Sequence, residues 1–309
     1  MKTHSICIAI VAPSGYTFED AAVGAGIARL EARGHKVVNY FDTAGVFQRF
    51  GGSDASRLAQ LEAAAANPHV QVVMALRGQY GLTRLLDQID FARMAASGKI
   101  FVGFSDFTAF HLALLAKTGA CSYAGPMLLA DFAPAQPLAF TADDFFSCLA
   151  GPTHTIIETT VGNPELDVTG TIWGGNLAMV MSLLGTAFFP QVDGGILFLE
   201  DVNEHPYRVE RMLLQLMHAG VLARQHAVVL GEFSAYSITP ADNGYDIDTM
   251  VAYLRTVLPC PVLTGLTFGH GQRRVTIPVG ARARLHARGG QFTLEMSDYP
   301  TLDPSTRHG

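Results

Sequence analysis

From Ser5 to about Tyr123 the chain alternates short, β-branched apolar runs with longer segments in which apolar residues recur at helical spacing, and this alternation restricts the fold more than any other feature. Strands are expected over residues 6–12, 36–40, 70–76, 100–104 and 121–124, and helices over 18–33, 54–66, 82–96 and 107–117. A β-α-β-α series of this kind closes into a parallel sheet with helices on both faces. Ligands bind such sheets at the carboxyl ends of the strands, so the loops after Ala12, Leu76 and Phe104 are where chemistry is expected.

After about Pro134 the texture changes. Gly and Pro become denser, and helices over 207–219 and 248–257 stand between β-rich stretches. A smaller, β-containing α+β domain is expected there. With 309 residues against roughly 150 per domain, the division expected is 1–135 and 155–309, the connection lying between Ala133 and His154.

The 21 Lys and Arg against 27 Asp and Glu give a net charge of -6. No basic cluster is present to neutralise a run of phosphates, so nucleic acid is not an expected partner. Cys7, Cys121, Cys148 and Cys260 lie far apart without CxxC spacing, and reduced thiols in a cytoplasmic protein are the simplest reading. The mean hydropathy of +0.24 prompts a search for a membrane span. The best stretch, 177–189, is broken by Ser182, Gly185 and Thr186 and falls short of the ~20 residues a spanning helix needs, so no membrane partner is expected. Lys2 ahead of the apolar run 6–12 has the outline of a small signal peptide. The run's strand length, its β-branched content and the Pro13-Ser14-Gly15 that ends it favour a first buried strand instead.

Cofactor motifs fail on inspection. Gly24-Ala25-Gly26 opens like a dinucleotide fingerprint, but Arg29 stands where the third glycine belongs and the segment lies inside a predicted helix. Gly98-Lys99 runs into Ile100 and is no P-loop, and Asn203-Glu204-His205-Pro206 lacks metal-ligand spacing. ATP, nicotinamide and catalytic zinc are therefore not expected.

Ile100-Phe101-Val102-Gly103-Phe104-Ser105-Asp106 is an apolar strand running into a helix with a serine at the junction. A nucleophile elbow places its hydroxyl there, with free N–H groups and the positive helix end beside any oxyanion. The last glycine of G-x-S-x-G is Phe107, however, and an ordinary N-cap at Ser105 accounts for the same pattern. Arg77-Gly78-Gln79-Tyr80-Gly81 closes the preceding strand. The N–H of Gly78 or Gln79 would complete an oxyanion hole with that of Asp106; an ordinary strand-to-helix turn is the alternative. Two further pieces lie in the second half. Phe268-Gly269-His270-Gly271 exposes a histidine between glycines, and Ile196-Leu197-Phe198-Leu199 ends in Glu200-Asp201, where a buried acid must find a partner. His111, His205 and His218 lie in or beside predicted helices and read as packing or surface residues.

The pieces RGQYG, GFSD, LED and FGH, in that order, resemble the serine LD-carboxypeptidase family. The likeness extends to Ala12-Pro13-Ser14-Gly15-Tyr16, Tyr123-Ala124-Gly125-Pro126-Met127, Trp173-Gly174-Gly175-Asn176-Leu177, and Glu200-Asp201-Val202-Asn203-Glu204 leading into Tyr207-Arg208-Val209-Glu210-Arg211. The resemblance implies a catalytic triad of Ser105, Glu200 and His270 and an oxyanion hole built from Asp106 with Gly78 or Gln79. It also implies a flavodoxin-like first domain, no metal or organic cofactor, and a homodimer. The implied activity is release of the terminal D-alanine from murein tetrapeptides in cell-wall recycling. Gln79 departs from the family's R-G-G-Y-G, adding strain or narrowing the site if that position needs φ > 0. A self-immunity peptidase acting on a peptide-nucleotide antibiotic and a non-catalytic small-molecule binding protein are the alternatives. A free terminal carboxylate calls for a cation. Arg77, Arg208 and Arg211 are the nearest in sequence, but each has the plainer reading of a helix or loop salt-bridge partner and stays outside the expected site, and Tyr16 and Trp173 are candidate cleft aromatics.

Overall fold

The computed structural model describes residues 5–136 and 138–302. The ends of the two expected domains, Lys2 among them, and Pro137 lie outside the described residues. β1 (Cys7–Val11) is buried along its whole length, as the interior of a parallel sheet requires. It pairs in parallel with β2 (Lys36–Asn39) on one side and β3 (Val72–Ala75) on the other, and β4 (Ile100–Gly103) and β5 (Ser122–Ala124) follow. The order β2-β1-β3-β4-β5 is that of a flavodoxin-like doubly wound sheet. Helices α1 (Asp20–Ala32), α2 (Asp54–Ala66), α3 (Phe91–Ala96) and α4 (Thr108–Thr118) alternate with these strands.

The helix expected over 82–96 is confined to α3. The Leu82 N–H is taken by the Asp106 carboxylate at 2.9 Å, and the Asp90 side chain caps a fresh start by accepting from the Arg93 N–H at 2.9 Å. Leu82, Leu85, Leu86 and Ile89, which supplied the helical period, are buried anchors of irregular turns. The expected connection, in turn, holds α5 (Ala139–Ala150), which buries Phe145 and Cys148 and reaches α1 through the Arg33–Asp143 ion pair at 2.8 Å.

The second half contains β6 (Thr153–Thr159), β7 (Leu166–Asn176), α6 (Leu177–Leu183), β8 (Gly195–Val202), α7 (Pro206–His218), β9 (Gln225–Ser234), α8 (Ile247–Val257), β10 (Val262–Thr264), β11 (Ile277–Val279), β12 (Arg282–Arg288) and β13 (Gln291–Ser297). Seven of its strands form a mixed sheet in the order β10-β9-β8-β7-β12-β13-β6. Its parallel part is buried and its antiparallel part alternates buried and exposed positions, as in β12. β11 leaves that sheet and pairs antiparallel with β5, giving the first sheet its sixth strand. The polypeptide that carries the 268–271 loop is thereby tied to the sheet that carries Ser105. All four cysteines are free, three of them buried. Among the described residues no helix is long and apolar enough to cross a membrane, and no cluster of His, Cys, Asp and Glu is arranged to hold a metal ion.

Candidate active site

Ser105 sits where β4 gives way to a short turn, Ser105–Phe107, that runs into α4. Its φ is +61°, a left-handed conformation that costs a residue with a side chain about 1–3 kcal/mol and persists only where its surroundings hold it. Two neighbours hold it here. A Cβ on Gly78 would lie 2.7 Å from Ser105 Cβ and 2.8 Å from Ser105 Oγ, so only glycine lets the loop after β3 close on the serine. Asp106, 1% exposed, accepts through one carboxylate oxygen from Ser14 Oγ at 2.6 Å and from the Leu82 N–H at 2.9 Å, fastening the loops after β1 and β3 to the turn. Burial pushes the Asp106 carboxyl up, and these two hydrogen bonds oppose the shift.

The N–H groups of Gly78 and Gln79 donate to no other described residue. Gln79 has φ +84°, so the position that departs from the family glycine does take a left-handed conformation. Its side chain lies along Gly15, close enough that a Cβ there would meet Gln79 Oε1 at 2.1 Å.

Glu200, on β8, is fully buried and receives His270 Nδ1 at 2.7 Å. An ionised carboxylate only accepts, so Nδ1 is the donor, and in the neutral imidazole the free lone pair is then on Nε2. The other Glu200 oxygen accepts from Asn176 Nδ2 at 3.2 Å, and the same amide reaches Asp201 at 3.0 Å. The ladder of β8 with β9 slips between Leu199 and Asp201, an irregularity of the kind that re-aims side chains, and both neighbouring acids are buried. Asn176 is delivered by the closing Gly-Gly of β7. A Cβ on Gly175 would meet Thr108 Oγ1 at 2.6 Å, and that hydroxyl accepts from the Asn176 N–H at 3.1 Å. Asp201 makes no hydrogen bond to His270, whose Nδ1 is taken by Glu200. Asp201 accepts from the Ala178 and Val202 N–H groups, each at 2.8 Å, and burial, with the Glu200 charge adding, pushes its carboxyl up to about 6.

Ser105, Gly78, Gln79 and His270 line one cavity of about 630 Å³; Ser105 and His270 share it without a hydrogen bond between them. Phe104 stands edge-on to the His270 ring at 5.0 Å. Beneath the loop lies a residue that the sequence did not single out. Arg274, 2% exposed, donates Nε to the Gly269 carbonyl at 2.9 Å and Nη2 to that of Gly271 at 3.5 Å, gripping the peptide on both sides of His270. Its guanidinium pairs with buried Asp131 at 2.5 Å and lies 3.6 Å over the ring of Phe104, the residue before Ser105.

The remaining sequence candidates separate cleanly. Trp173 is a core residue, fully buried, its Nε1 donating to Gln225 at 2.8 Å and its ring edge-on to Phe189. Tyr16 packs on Phe18 and does not line the cavity; its carbonyl accepts from Arg77 Nη1 at 3.0 Å. Arg208 and Arg211 stack over Tyr207 on α7 and are not among the residues that line the cavity. His111 is buried with both ring nitrogens bonded, to Ser122 Oγ at 2.8 Å and the Gly103 carbonyl at 2.9 Å, and burial brings its pKa down to about 4.

The sequence matches the model of the LD-carboxypeptidase N-terminal domain over residues 8–125 and that of the LD-carboxypeptidase C-terminal domain over residues 169–285. The crystal structure of muramoyltetrapeptide carboxypeptidase from Oxalobacter formigenes superposes with a TM-score of 0.92 at 48% identity, covering 96% of this chain and 100% of that one. A probable murein peptide carboxypeptidase of Bacillus subtilis is 29% identical over 238 residues, 76% of this chain and 75% of its own. The microcin C7 self-immunity protein of Escherichia coli is 25% identical over 83% of each chain.

Proposed function

The chain belongs to the LD-carboxypeptidase family, and from that premise we propose that it is a serine peptidase removing the terminal D-alanine of murein tetrapeptides at an L-to-D bond. The observation that carries the reading is the buried Glu200 carboxylate holding His270 Nδ1 at 2.7 Å on the wall of the cavity that Ser105 also lines. His270 Nε2 takes the Ser105 proton as Oγ attacks the carbonyl of the residue before D-alanine. Glu200 stabilises the imidazolium that forms. The N–H of Asp106 and that of Gly78 or Gln79 hold the tetrahedral oxyanion, and losing one such donor typically costs on the order of 10²-fold in rate. As the C–N bond breaks, His270 gives its proton to the departing amine. Water then attacks the acyl-enzyme, His270 taking a proton from it and returning one to Ser105.

The substrate assignment draws its support from the muramoyltetrapeptide enzyme at 48% identity; the self-immunity relative stands at 25%. We place the reaction in cytoplasmic cell-wall recycling, in keeping with the four free cysteines, and expect a homodimer, which light scattering tests. The function itself is tested by offering the murein tetrapeptide, its L-alanine-terminated epimer and a peptide-nucleotide conjugate. Release of D-alanine from the first, with the other two intact, is expected. Cleavage of the conjugate alone would replace this reading with self-immunity.

A further inference from the structure

The cavity holding Ser105 is sparsely charged. Among the side chains that line it, Arg77 and Glu19 are the ones that carry a full charge, and Glu19 is exposed. Arg77 is half-buried, with Nη1 donating to the Tyr16 carbonyl at 3.0 Å. That bond fixes the side chain while spending one of five guanidinium N–H donors; the others meet no partner among the described residues. Burial pulls the Arg77 pKa down and the charge of Glu19 pulls it back, so the cation is only partly compensated where it stands.

Position matters as much as charge. Arg77 directly precedes Gly78, the residue packed on Ser105, so its Cα lies about 3.8 Å from that of the oxyanion loop glycine. In a C-terminal substrate residue the free carboxylate is three bonds beyond the scissile carbonyl carbon. The competing cations are committed elsewhere: Arg274 to Asp131, Arg208 and Arg211 to the surface of α7.

We propose that Arg77 anchors the free terminal carboxylate of the departing amino acid and so restricts this site to carboxypeptidase cleavage. The proposal rests on the peptidase reading above. A planar guanidinium pinned at one nitrogen presents its remaining N–H edge in the geometry a carboxylate accepts, which an ammonium does not reproduce.

The test pairs a substrate change with an enzyme change. Wild type, Arg77→Gln and Arg77→Lys are compared on murein tetrapeptide ending in D-alanine and on the same peptide ending in D-alanine amide, with folding checked by circular dichroism. Wild type is expected to favour the free acid in kcat/KM by on the order of 10²-fold. Arg77→Gln should bring the two substrates close to parity by losing activity on the acid alone, and Arg77→Lys should keep part of the preference. An equal loss on both substrates, or a preference that Arg77→Gln preserves, would overturn the anchor. Failure of wild type to release D-alanine from the tetrapeptide would instead remove the peptidase reading on which it rests.

Discussion

Arg274→Met should separate the packing of the site from its chemistry. The Arg274 side chain is 2% exposed, and its removal leaves the Asp131 side chain, 4% exposed, with the Met127 N–H at 2.9 Å as its remaining partner. Breaking a buried pair by deleting one member costs about 3–5 kcal/mol, a large share of the ~5–15 kcal/mol that holds a typical protein folded. The Gly269 and Gly271 carbonyls also lose their donors, so the segment bearing His270 is freed, and a displacement of about 1 Å in a catalytic group can lower turnover by on the order of 10²-fold. Burial already pushes the Asp131 carboxyl up, and Arg274 is the charge that pulls it down. Without Arg274 the folded state binds that proton more tightly than the unfolded chain. The variant should therefore regain stability on acidification and lose it as pH rises through the Asp131 pKa. Adding Asp131→Asn should recover part of the stability, with a coupling of about 1–3 kcal/mol, without restoring kcat. Urea unfolding across pH gives the energies, and D-alanine release at matched folding gives kcat. If Arg274→Met lost less than about 1 kcal/mol and kept wild-type kcat, the reasoning from burial would be refuted.

Three further outcomes are expected. Glu200→Gln should lower kcat by on the order of 10³–10⁴-fold while leaving the protein folded, because the amide no longer dictates the His270 tautomer; unchanged turnover would move the orienting role to Asp201 or to no acid. Gln79→Gly should raise stability by about 0.5–1 kcal/mol, the relief of a left-handed side chain exceeding the added freedom of the unfolded glycine, and a lower thermal midpoint would contradict this. Asp201 holds its proton up to about pH 6, above the unfolded value of about 3.9, so its contribution is full at low pH and declines by up to about 3 kcal/mol as pH rises through 6. Asp201→Asn should remove that slope from urea titrations, and identical slopes in the two proteins would show that the group does not titrate there.

The parts of the fold set by local chemistry were legible in the chain. Ile6 to Ala12, apolar, rich in β-branched residues and ended by Pro13-Ser14-Gly15, reads as a buried strand, and the strand-to-helix turn at Ser105 follows from an apolar run meeting a helical period. Long-range partnerships were not. Arg274 and Asp131 are 143 residues apart, and nothing in either neighbourhood announces the other. Residues 82–96 carry a helical period in their leucines, yet the Asp106 carboxylate, 24 residues away, claims the Leu82 N–H. Asn176 closes a Trp-Gly-Gly-Asn sequence that carries no local sign of a partner, and only the register of β7 against β8 sets the amide opposite Glu200. The crossing of β11 into the first sheet likewise has no local signal, since three apolar residues fit either sheet.

The proposed role of Ser105 as the nucleophile of a metal-independent peptidase is put to the test by measuring D-alanine released from murein tetrapeptide by the wild-type protein and by Ser105→Ala, matched by circular dichroism, with and without chelator. Release by the wild type alone, unaffected by chelator, is the predicted result. Comparable release by Ser105→Ala, or release that chelator abolishes, would contradict it.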